Sequence, residues 1–452
     1  MYDVIIIGAG PAGYVSAIRL SQLGKKVAII EKEYLGGTCT NKGCIPTKTL
    51  LSCAHLYDEI ISKSNKFGIN INSVSYDLNK MDNYLTTVVT QTRKGIEYLI
   101  KKNKIDFINA TAEIVDTNHV KTGNNILETK NIILAHGSEP AVFPPFNSIE
   151  GIWTSDDFFI NLKDIPNSIL IVGGGVIGVE FATFLASLGK KVYIVELMDH
   201  ILPTEDLDVS QEIKRSLLRK GVEIYEKNKV INVEKDGKMY ISKIEENGKI
   251  TEINSEKILL AVGRKPVIPE DVKKIGIEIN KGIKTDLNMR TNISNIYAIG
   301  DIRADIMLAH VAMYEGIVAA HNIAGEKKIM DYNAVPNVIF SNPEIATVGI
   351  KEKDANPEEV IVSKFPVSAN ARARTINEKN GFVKVIADKR SKKIIGISIV
   401  SQNATEMIME GVLAVKYGMT TNQLTDAIHP HPTLSEIILE AVEGVEGKAI
   451  HI

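Results

Sequence analysis

Gly8-Ala9-Gly10-Pro11-Ala12-Gly13 and Gly173-Gly174-Gly175-Val176-Ile177-Gly178 stand 165 residues apart, each directly after a β-branched apolar run, Val4 to Ile7 and Ile169 to Val172. The likeness continues past the glycines. Leu23-Gly24-Lys25-Lys26-Val27 returns as Leu188-Gly189-Lys190-Lys191-Val192, and Glu31 returns as Glu196 at the same offset. Each copy therefore reads as strand, glycine-rich turn, helix and second strand, with an acid about 20 residues beyond the glycines. This is the sequence signature of a dinucleotide-binding βαβ unit. The first glycine makes the tight turn, the second lets backbone approach a pyrophosphate, and the third lets helix pack on strand. The phosphates then meet a helix N-terminus, whose free N–H groups and dipole favour anions.

A chain of 452 residues has room for about three domains at roughly 100–200 residues each. Between the repeats, Met81 to Lys102 carries apolar residues at helical spacing, and residues from about 105 to 135 alternate short strands with turns. Lys257 to Val262 and Ile296 to Ile299 read as further buried strands, the second followed by a helix from about His310 to Ala324. From Val335 onward β-rich segments give way to helices at Glu406 to Tyr417 and Leu434 to Val442, which places a domain boundary near 335. Asp301, at a strand-to-helix junction, is either a ligand contact or a helix cap.

Charge and composition exclude several classes of function. Fifty-three Lys and Arg against 55 Asp and Glu give a net charge of −2, so no overall field draws the chain to nucleic acid or an anionic membrane. No stretch approaches the roughly 18 apolar residues of a membrane helix. The N-terminus runs straight into an apolar strand with neither a basic region nor a cleavage site, so a cytoplasmic location is expected. Three cysteines, Cys39, Cys44 and Cys53, are too few for a disulfide scaffold.

Cys39 and Cys44 lie within Gly36-Gly37-Thr38-Cys39-Thr40-Asn41-Lys42-Gly43-Cys44-Ile45-Pro46-Thr47-Lys48. Glycines keep this loop pliable, Pro46 suits the first turn of a helix, and a thiol at a helix N-terminus is favoured as thiolate, with Lys42 and Lys48 adding positive charge. A structural zinc site wants four Cys or His ligands, so no metal is expected, and a redox-active pair beside a nucleotide is the better reading. Cys53 lacks that setting and reads as a small apolar side chain. Near the C-terminus, His429-Pro430-His431-Pro432-Thr433-Leu434-Ser435-Glu436 offers an imidazole to take a thiol proton and a carboxylate to hold its tautomer. Thr433 and Glu436 equally fit a helix capping box, and spacing alone leaves both roles open.

Together these segments, with Ala261-Val262-Gly263-Arg264 and Ala298-Ile299-Gly300-Asp301, resemble the pyridine nucleotide-disulfide oxidoreductase family along essentially the whole chain, and most closely its dihydrolipoamide dehydrogenase branch. The resemblance implies an α/β fold of two Rossmann-like dinucleotide-binding domains plus a C-terminal α+β dimerisation domain. It divides the chain into an FAD-binding domain (1–145, completed by 266–335), an NAD-binding domain (146–265) and a dimerisation domain (336–452). It further implies that Gly8, Gly10, Gly13, Glu31, Lys48 and Asp301 bind FAD, and that Gly173, Gly175, Gly178, Glu196 and Gly263 bind NAD. Lys48 and Glu180 match the pair beside the flavin ring, Cys39 and Cys44 the redox disulfide, His431 the catalytic base and Glu436 the residue that orients it. In a homodimer, base and disulfide would come from different subunits.

The implied activity is oxidation of dihydrolipoamide to lipoamide with reduction of NAD. The partner would be a lipoyl-bearing protein of a 2-oxo acid dehydrogenase or glycine cleavage system. Glu196 supports NAD on physical grounds, because a carboxylate at the ribose hydroxyls repels the 2′-phosphate of NADP, which calls for Arg. A reductase of glutathione or coenzyme A disulfide, and a non-catalytic docking subunit that keeps FAD for stability, are the alternatives. The ending Ala449-Ile450-His451-Ile452 lacks the paired cysteines expected of mercuric reductase, and no fused lipoyl domain is expected ahead of the flavin motif. Two positions depart from the family pattern. Ala135-His136-Gly137 stands for the usual Ala-Thr-Gly, and Pro430 for a small residue between the two histidines.

Overall fold

The computed structural model describes all residues, 1–452. Val4 to Ile7 are buried almost completely within the strand Tyr2–Ile7, which pairs in parallel with Val27–Glu31 on one side and Asn125–Leu134 on the other. Asp106–Asn109 and Ile296–Ala298 extend this parallel sheet at its two edges. Strands so apolar must be covered on both faces. One cover is the helix Pro11–Gln22, packed along Ala309–Ala324. The segment read as short strands and turns forms an antiparallel layer, in which Ala112–Ile114 and His119–Thr122 join the first residues of Asn125–Leu134.

The second copy of the repeat builds a second parallel sheet, in the order Glu223–Tyr225, Lys191–Val195, Ser168–Val172, Lys257–Leu260 and Trp153–Thr154. Its helix, Val176–Ser187, keeps the 165-residue offset from Pro11–Gln22 at both ends. A short antiparallel ribbon of Ser138–Pro140 and Arg264–Pro266 carries the chain out of the first unit and back. This is why Ile296–Ala298, far along the sequence, completes the first sheet. The C-terminal unit is an antiparallel sheet ordered Asn337–Ile339, Glu344–Gly349, Ile394–Ser401, Phe382–Asp388 and Val360–Pro366, with the helices Ala404–Tyr417 and Glu436–Glu443 packed on it. No helix is long and apolar enough to cross a membrane.

The long helix expected from Met81 begins earlier, at Leu78, because the Asp77 carboxylate accepts hydrogen bonds from the Asn79 and Lys80 N–H groups at 2.9 and 3.3 Å. Such a cap satisfies donors that a helix start otherwise leaves free. The helix Cys44–Lys63 is seated between units: its Leu50, Leu51 and Ala54 share one hydrophobic core with Phe181 and Leu185 of the second unit and Ile339 and Val400 of the third.

The second and third units also meet through charge. Lys384, 1% exposed, lies 2.8 Å from Asp206 and 2.9 Å from both Asp208 and Glu352. Burial works against its charge, yet the hydrogen bonds to these carboxylates override it and push its pKa up to about 12. The contribution of Lys384 to stability is therefore complete below its ordinary pKa of 10.5 and is lost as pH rises towards about 12. Lys384→Met leaves the buried Asp206 with only the Glu352 and Lys353 N–H groups and Asp208 with only Lys364, and removing one partner of a buried ion pair costs up to about 3–5 kcal/mol. Thermal melts across the alkaline range should show the variant less stable at neutral pH, with the gap to the parent closing as Lys384 deprotonates.

Candidate functional site

The two glycine-rich turns have nearly the same shape. Gly8 and Gly173 adopt φ of 103° and 104°, and a Cβ on either would lie 2.2 Å from the Ala135 carbonyl oxygen or 2.5 Å from that of Ala261. A Cβ on Gly13 or Gly178 would lie 1.9 or 2.0 Å from the carbonyl oxygen of Gly8 or Gly173. Only glycine satisfies both requirements. The middle positions differ in kind: a Cβ on Gly10 would meet nothing nearer than 4.0 Å, and one on Gly175 nothing within 4 Å. The chain's own packing does not demand glycine there, so the open ledge is room for something else. Neither helix that starts at these turns has a side-chain cap, which leaves its first N–H groups available to a phosphate.

The acids complete the parallel. Glu31 accepts hydrogen bonds from the Ala9 and Glu33 N–H groups at 2.9 and 2.8 Å. Glu196 accepts from Gly174 and Met198 at 2.6 and 2.7 Å. Each carboxylate is thereby fixed at the end of its strand, beside its glycine turn.

Both turns open onto one cavity of about 1370 Å³, whose wall includes Gly8, Gly10, Glu31, Gly173, Gly175, Glu196, Gly263 and Asp301 together with Cys39, Cys44, Lys48 and Glu180. Gly13 and Gly178 stand behind that wall, where they hold the helices close. The open ledge and uncapped helix start at each turn fit the pyrophosphate of a dinucleotide, so the cavity suits the two cofactors FAD and NAD.

Cys39 ends up in the short helix Gly37–Lys42 and Cys44 at the first position of Cys44–Lys63, with Gly43 between them. Both are partly buried free thiols. A hydrogen bond from Cys39 pulls the Cys44 pKa down to about 7, against the effect of burial and with help from the Lys48 charge. That same bond, together with burial, pushes the Cys39 thiol far up. The bond thus favours the proton on Cys39 and the thiolate on Cys44. Burial raises the Cys53 thiol, further along the same helix.

One helical turn after Cys44, the Lys48 ammonium lies 2.8 Å from both carboxylate oxygens of Glu180 on the second-unit helix. Glu180 also accepts the Phe340 N–H of the third unit at 3.0 Å. The Phe340 ring lies under the same ammonium, 4.8 Å from its centroid. Phe340 is a contact that the sequence did not reveal, because nothing in Ile339-Phe340-Ser341 marks a backbone donor.

Asp301 caps no long helix; Leu308 occupies that position for Ala309–Ala324. Its carboxylate instead accepts the Ser138 hydroxyl at 2.5 Å, and Ser138 in turn accepts Arg264 Nε at 2.8 Å. Glu315, buried on Ala309–Ala324, holds the preceding turn by accepting the Gly300 N–H at 2.6 Å. Arg264 follows Gly263 in a segment singled out only for its glycine, so this relay too was hidden by sequence separation. Closer to the cysteines, Arg93 donates to Asn41 at 2.7 and 3.1 Å, bracing the turn from the long helix Leu78–Lys102.

His431 lies outside the cavity of its own chain, with 72% of its side chain exposed. Of the two roles that its spacing left open, Glu436 takes that of histidine partner, with Oε1 2.8 Å from His431 Nδ1; Oε2 accepts the Thr433 N–H at 2.7 Å, but the helix starts at Glu436 itself with Ser435 before it, so no capping box forms. Burial opposes ionisation of Glu436, but the Thr433 N–H and the His431 ring outweigh it and hold the carboxyl below its usual range. His429 is turned inward and bonded to Glu410 at 2.8 Å, which leaves His431 as the exposed imidazole of the two.

Residues 2–316 match the model of the pyridine nucleotide-disulphide oxidoreductase family, and residues 335–442 match that family's dimerisation domain. Among characterised proteins, the chain is 41% identical to a dihydrolipoyl dehydrogenase of Bacillus subtilis (strain 168), covering 100% of this chain and 97% of the relative. It is likewise 41% identical to the dihydrolipoyl dehydrogenase of Geobacillus stearothermophilus, with the same coverage. Among solved structures, the HOCl-induced flavoprotein disulfide reductase RclA of Escherichia coli superposes with a TM-score of 0.87 at 28% identity, over 98% of this chain and 99% of that one. LpdA of Mycobacterium tuberculosis shares the fold with a TM-score of 0.91 at 24% identity, over 98% of this chain and 100% of that one. The glycine turns, the cysteine pair and these matches lead to one conclusion: the chain belongs to the pyridine nucleotide-disulphide oxidoreductase family, and is an oxidoreductase working with FAD and NAD.

Proposed function

We propose that this protein oxidises dihydrolipoamide, carried on a lipoyl-bearing protein, to lipoamide and reduces NAD, acting as a homodimer. The observation that carries this reading is the convergence on one cavity wall of both glycine turns, the two cysteines and the Lys48–Glu180 pair. The relatives named dihydrolipoyl dehydrogenase, each matched over 97% of its length, supply the substrate. In this reading residues 1–145 and 266–335 hold FAD, residues 146–265 hold NAD, and residues 336–452 join two chains.

Bound FAD would accept two electrons from the cysteine pair and pass them as hydride to NAD. The chain's own residues prepare and complete that transfer. In the oxidised protein Cys39 and Cys44 form a disulfide. His431 of a second copy removes a proton from one substrate thiol, and the thiolate attacks Cys39, so that Cys44 departs as thiolate. The second substrate thiol then displaces Cys39, and the products are a cyclic substrate disulfide and a reduced cysteine pair. Atoms and electrons balance, since the substrate loses two hydrogens' worth of electrons and the pair gains them.

The low pKa of Cys44 suits it to be the leaving group and the electron donor, and Lys48 stabilises its charge. Glu436 holds the His431 proton on Nδ1, which frees Nε2 to act as base. That His431 is exposed and absent from its own cavity supports its delivery to the cavity of a partner chain. Gly8, Gly10, Gly13, Glu31 and Asp301 would receive FAD beside Lys48, and Gly173, Gly175, Gly178, Glu196 and Gly263 would receive NAD.

His431→Gln should lower lipoamide turnover by about 10²–10⁴-fold, the usual worth of a general base, while flavin content and dimer mass stay unchanged; near-parental turnover would refute the role. In the reduced protein, thiolate absorbance in the ultraviolet should rise with a midpoint near pH 7, since the Cys44 pKa is lowered to about 7. Cys44→Ser should remove that step and Lys48→Met should move it upward. Assayed side by side, lipoamide with NADH should be turned over far faster than glutathione disulfide or coenzyme A disulfide, and NADPH should be a poor substitute. Preference for either of those disulfides would overturn the substrate assignment.

A further inference from the structure

Cys39 rides on a helix of six residues, Gly37–Lys42, that has no side-chain cap at its start. Gly36 and Gly37, which lead into it, take φ of 89° and 54°. A helix this short does not hold its own shape, and glycine backbone is the most expensive to fix. The start of the turn is tied to the first glycine turn, where the Gly36 N–H donates to the Ala9 carbonyl oxygen at 2.8 Å. Its far side, which carries Cys39, is tied by a side chain.

That side chain is Asn41. Its Nδ2 donates back to the Leu35 and Gly37 carbonyl oxygens at 3.1 and 2.8 Å, which draws the turn closed. Its Oδ1 accepts both Nε and Nη2 of Arg93, at 3.1 and 2.7 Å. A guanidinium only donates, and its planar fork fixes direction as well as distance. Arg93 therefore dictates which edge of the Asn41 amide faces the turn. The same guanidinium lies over the Tyr34 ring, 4.1 Å from its centroid, so it grips the chain on both sides of Cys39. Ile96, three residues on along Leu78–Lys102, shares a core with Leu35 and would lie 3.0 Å from a Cβ on Gly36. The long helix thus supplies an apolar footing and a polar clamp. By contrast, the pair of Lys42 and Glu33 at 3.0 Å joins partly exposed side chains and contributes little.

In the oxidised protein the bond between Cys39 and Cys44 itself restrains Cys39. After that bond is broken, the turn alone keeps the two sulfurs together. Freedom released by loosening the turn goes mainly to the dithiol, because the disulfide still restrains the oxidised chain. Resting on the reading of Cys39 and Cys44 as the redox pair, we propose that Arg93 is a positioning residue for electron transfer through that pair. By fixing Asn41 it keeps Cys39 beside Cys44 in the dithiol, which favours re-formation of the disulfide and sets the pair's potential. Arg93 is not part of the cavity wall, so it acts through Asn41 and not on the reacting atoms.

The test equilibrates the holoenzymes of the parent, Arg93→Met and Arg93→Lys, without oxygen, in mixtures of dithiothreitol and its cyclic disulfide, and then traps thiols by alkylation for mass measurement. In this exchange the two thiols of dithiothreitol become a disulfide while the Cys39–Cys44 bond becomes two thiols. With three cysteines in the chain, the reduced form takes up three alkyl groups and the oxidised form only the one on Cys53. Arg93→Met should shift the equilibrium towards the dithiol by about 10-fold, the low end of what a hydrogen bond to a charged group is worth, which corresponds to a potential about 30 mV more positive. Arg93→Lys keeps a donor but cannot form the fork, and should fall between. In reduced Arg93→Met the Cys44 thiolate step should also lie above the parent's, because a looser Cys39 makes a poorer hydrogen bond to it. If Arg93→Met does not fold, Asn41→Ala, which removes the acceptor, takes its place with the same expected shift. A variant that melts earlier but keeps the parent's equilibrium would show a purely structural role and overturn the proposal. A parent chain that takes up three alkyl groups in every mixture would instead sink the reading of the two cysteines as a redox pair.

Discussion

The ion pair of Lys48 and Glu180 is the joint on which the site depends. It spans the helix that begins at Cys44 and the helix that begins at the second glycine turn, and Phe340 of the third unit donates its N–H to the same carboxylate. A buried carboxylate is tolerated only when its charge and lone pairs are answered. Here the answers come from two other units, so the carboxylate is satisfied only when all three are docked. The hydrophobic core beneath repeats the arrangement, with Leu50 and Leu51 of the cysteine helix packed with residues of the second and third units. Position is thus imposed twice on Cys44, by charge above and by packing below.

That joint also places an ammonium where it helps to stabilise a thiolate of the cysteine pair. Lys48 sits one turn along the same helix as Cys44, while Cys39 lies on the other side of Gly43 and donates to its neighbour. Two thiols of equal intrinsic acidity are made unequal first by the hydrogen bond between them, and the ammonium held beside them favours the thiolate form. The opposite end of the cavity is governed by backbone: Gly8 and Gly173 hold nearly identical left-handed turns, and each is followed by a helix start with no side-chain cap.

Much of this was legible in the sequence, for local reasons. The repeat of glycines, strands and acids at one offset determines the two parallel sheets, because strand, turn and helix are encoded within about thirty residues of each other. The equal helices Pro11–Gln22 and Val176–Ser187 follow directly. Contacts between remote segments were not legible. Ser138 lies 163 residues from Asp301, and Phe340 lies 160 from Glu180; each involves a common residue type or a bare N–H that carries no pattern. The early start of the long helix at Leu78 was missed for a smaller reason: Leu78 is in phase with Met81 and Leu85, but the start is marked by the polar cap Asp77 and not by the apolar pattern. Glu436 is instructive in another way. Its spacing suited both a capping box and a histidine partner; only the second forms, because the helix begins at Glu436 itself and the bond to the Thr433 N–H holds the loop ahead of it.

The central claim is that electrons reach the flavin through Cys39 and Cys44. Anaerobic addition of dihydrolipoamide to the holoenzyme, read as flavin visible absorbance, tests it directly. The parent should change its spectrum on dihydrolipoamide and return to the oxidised spectrum on NAD, whereas Cys39→Ser and Cys44→Ser should stay oxidised with dihydrolipoamide yet respond to NADH. A serine variant whose flavin is reduced by dihydrolipoamide as readily as the parent's would contradict the account.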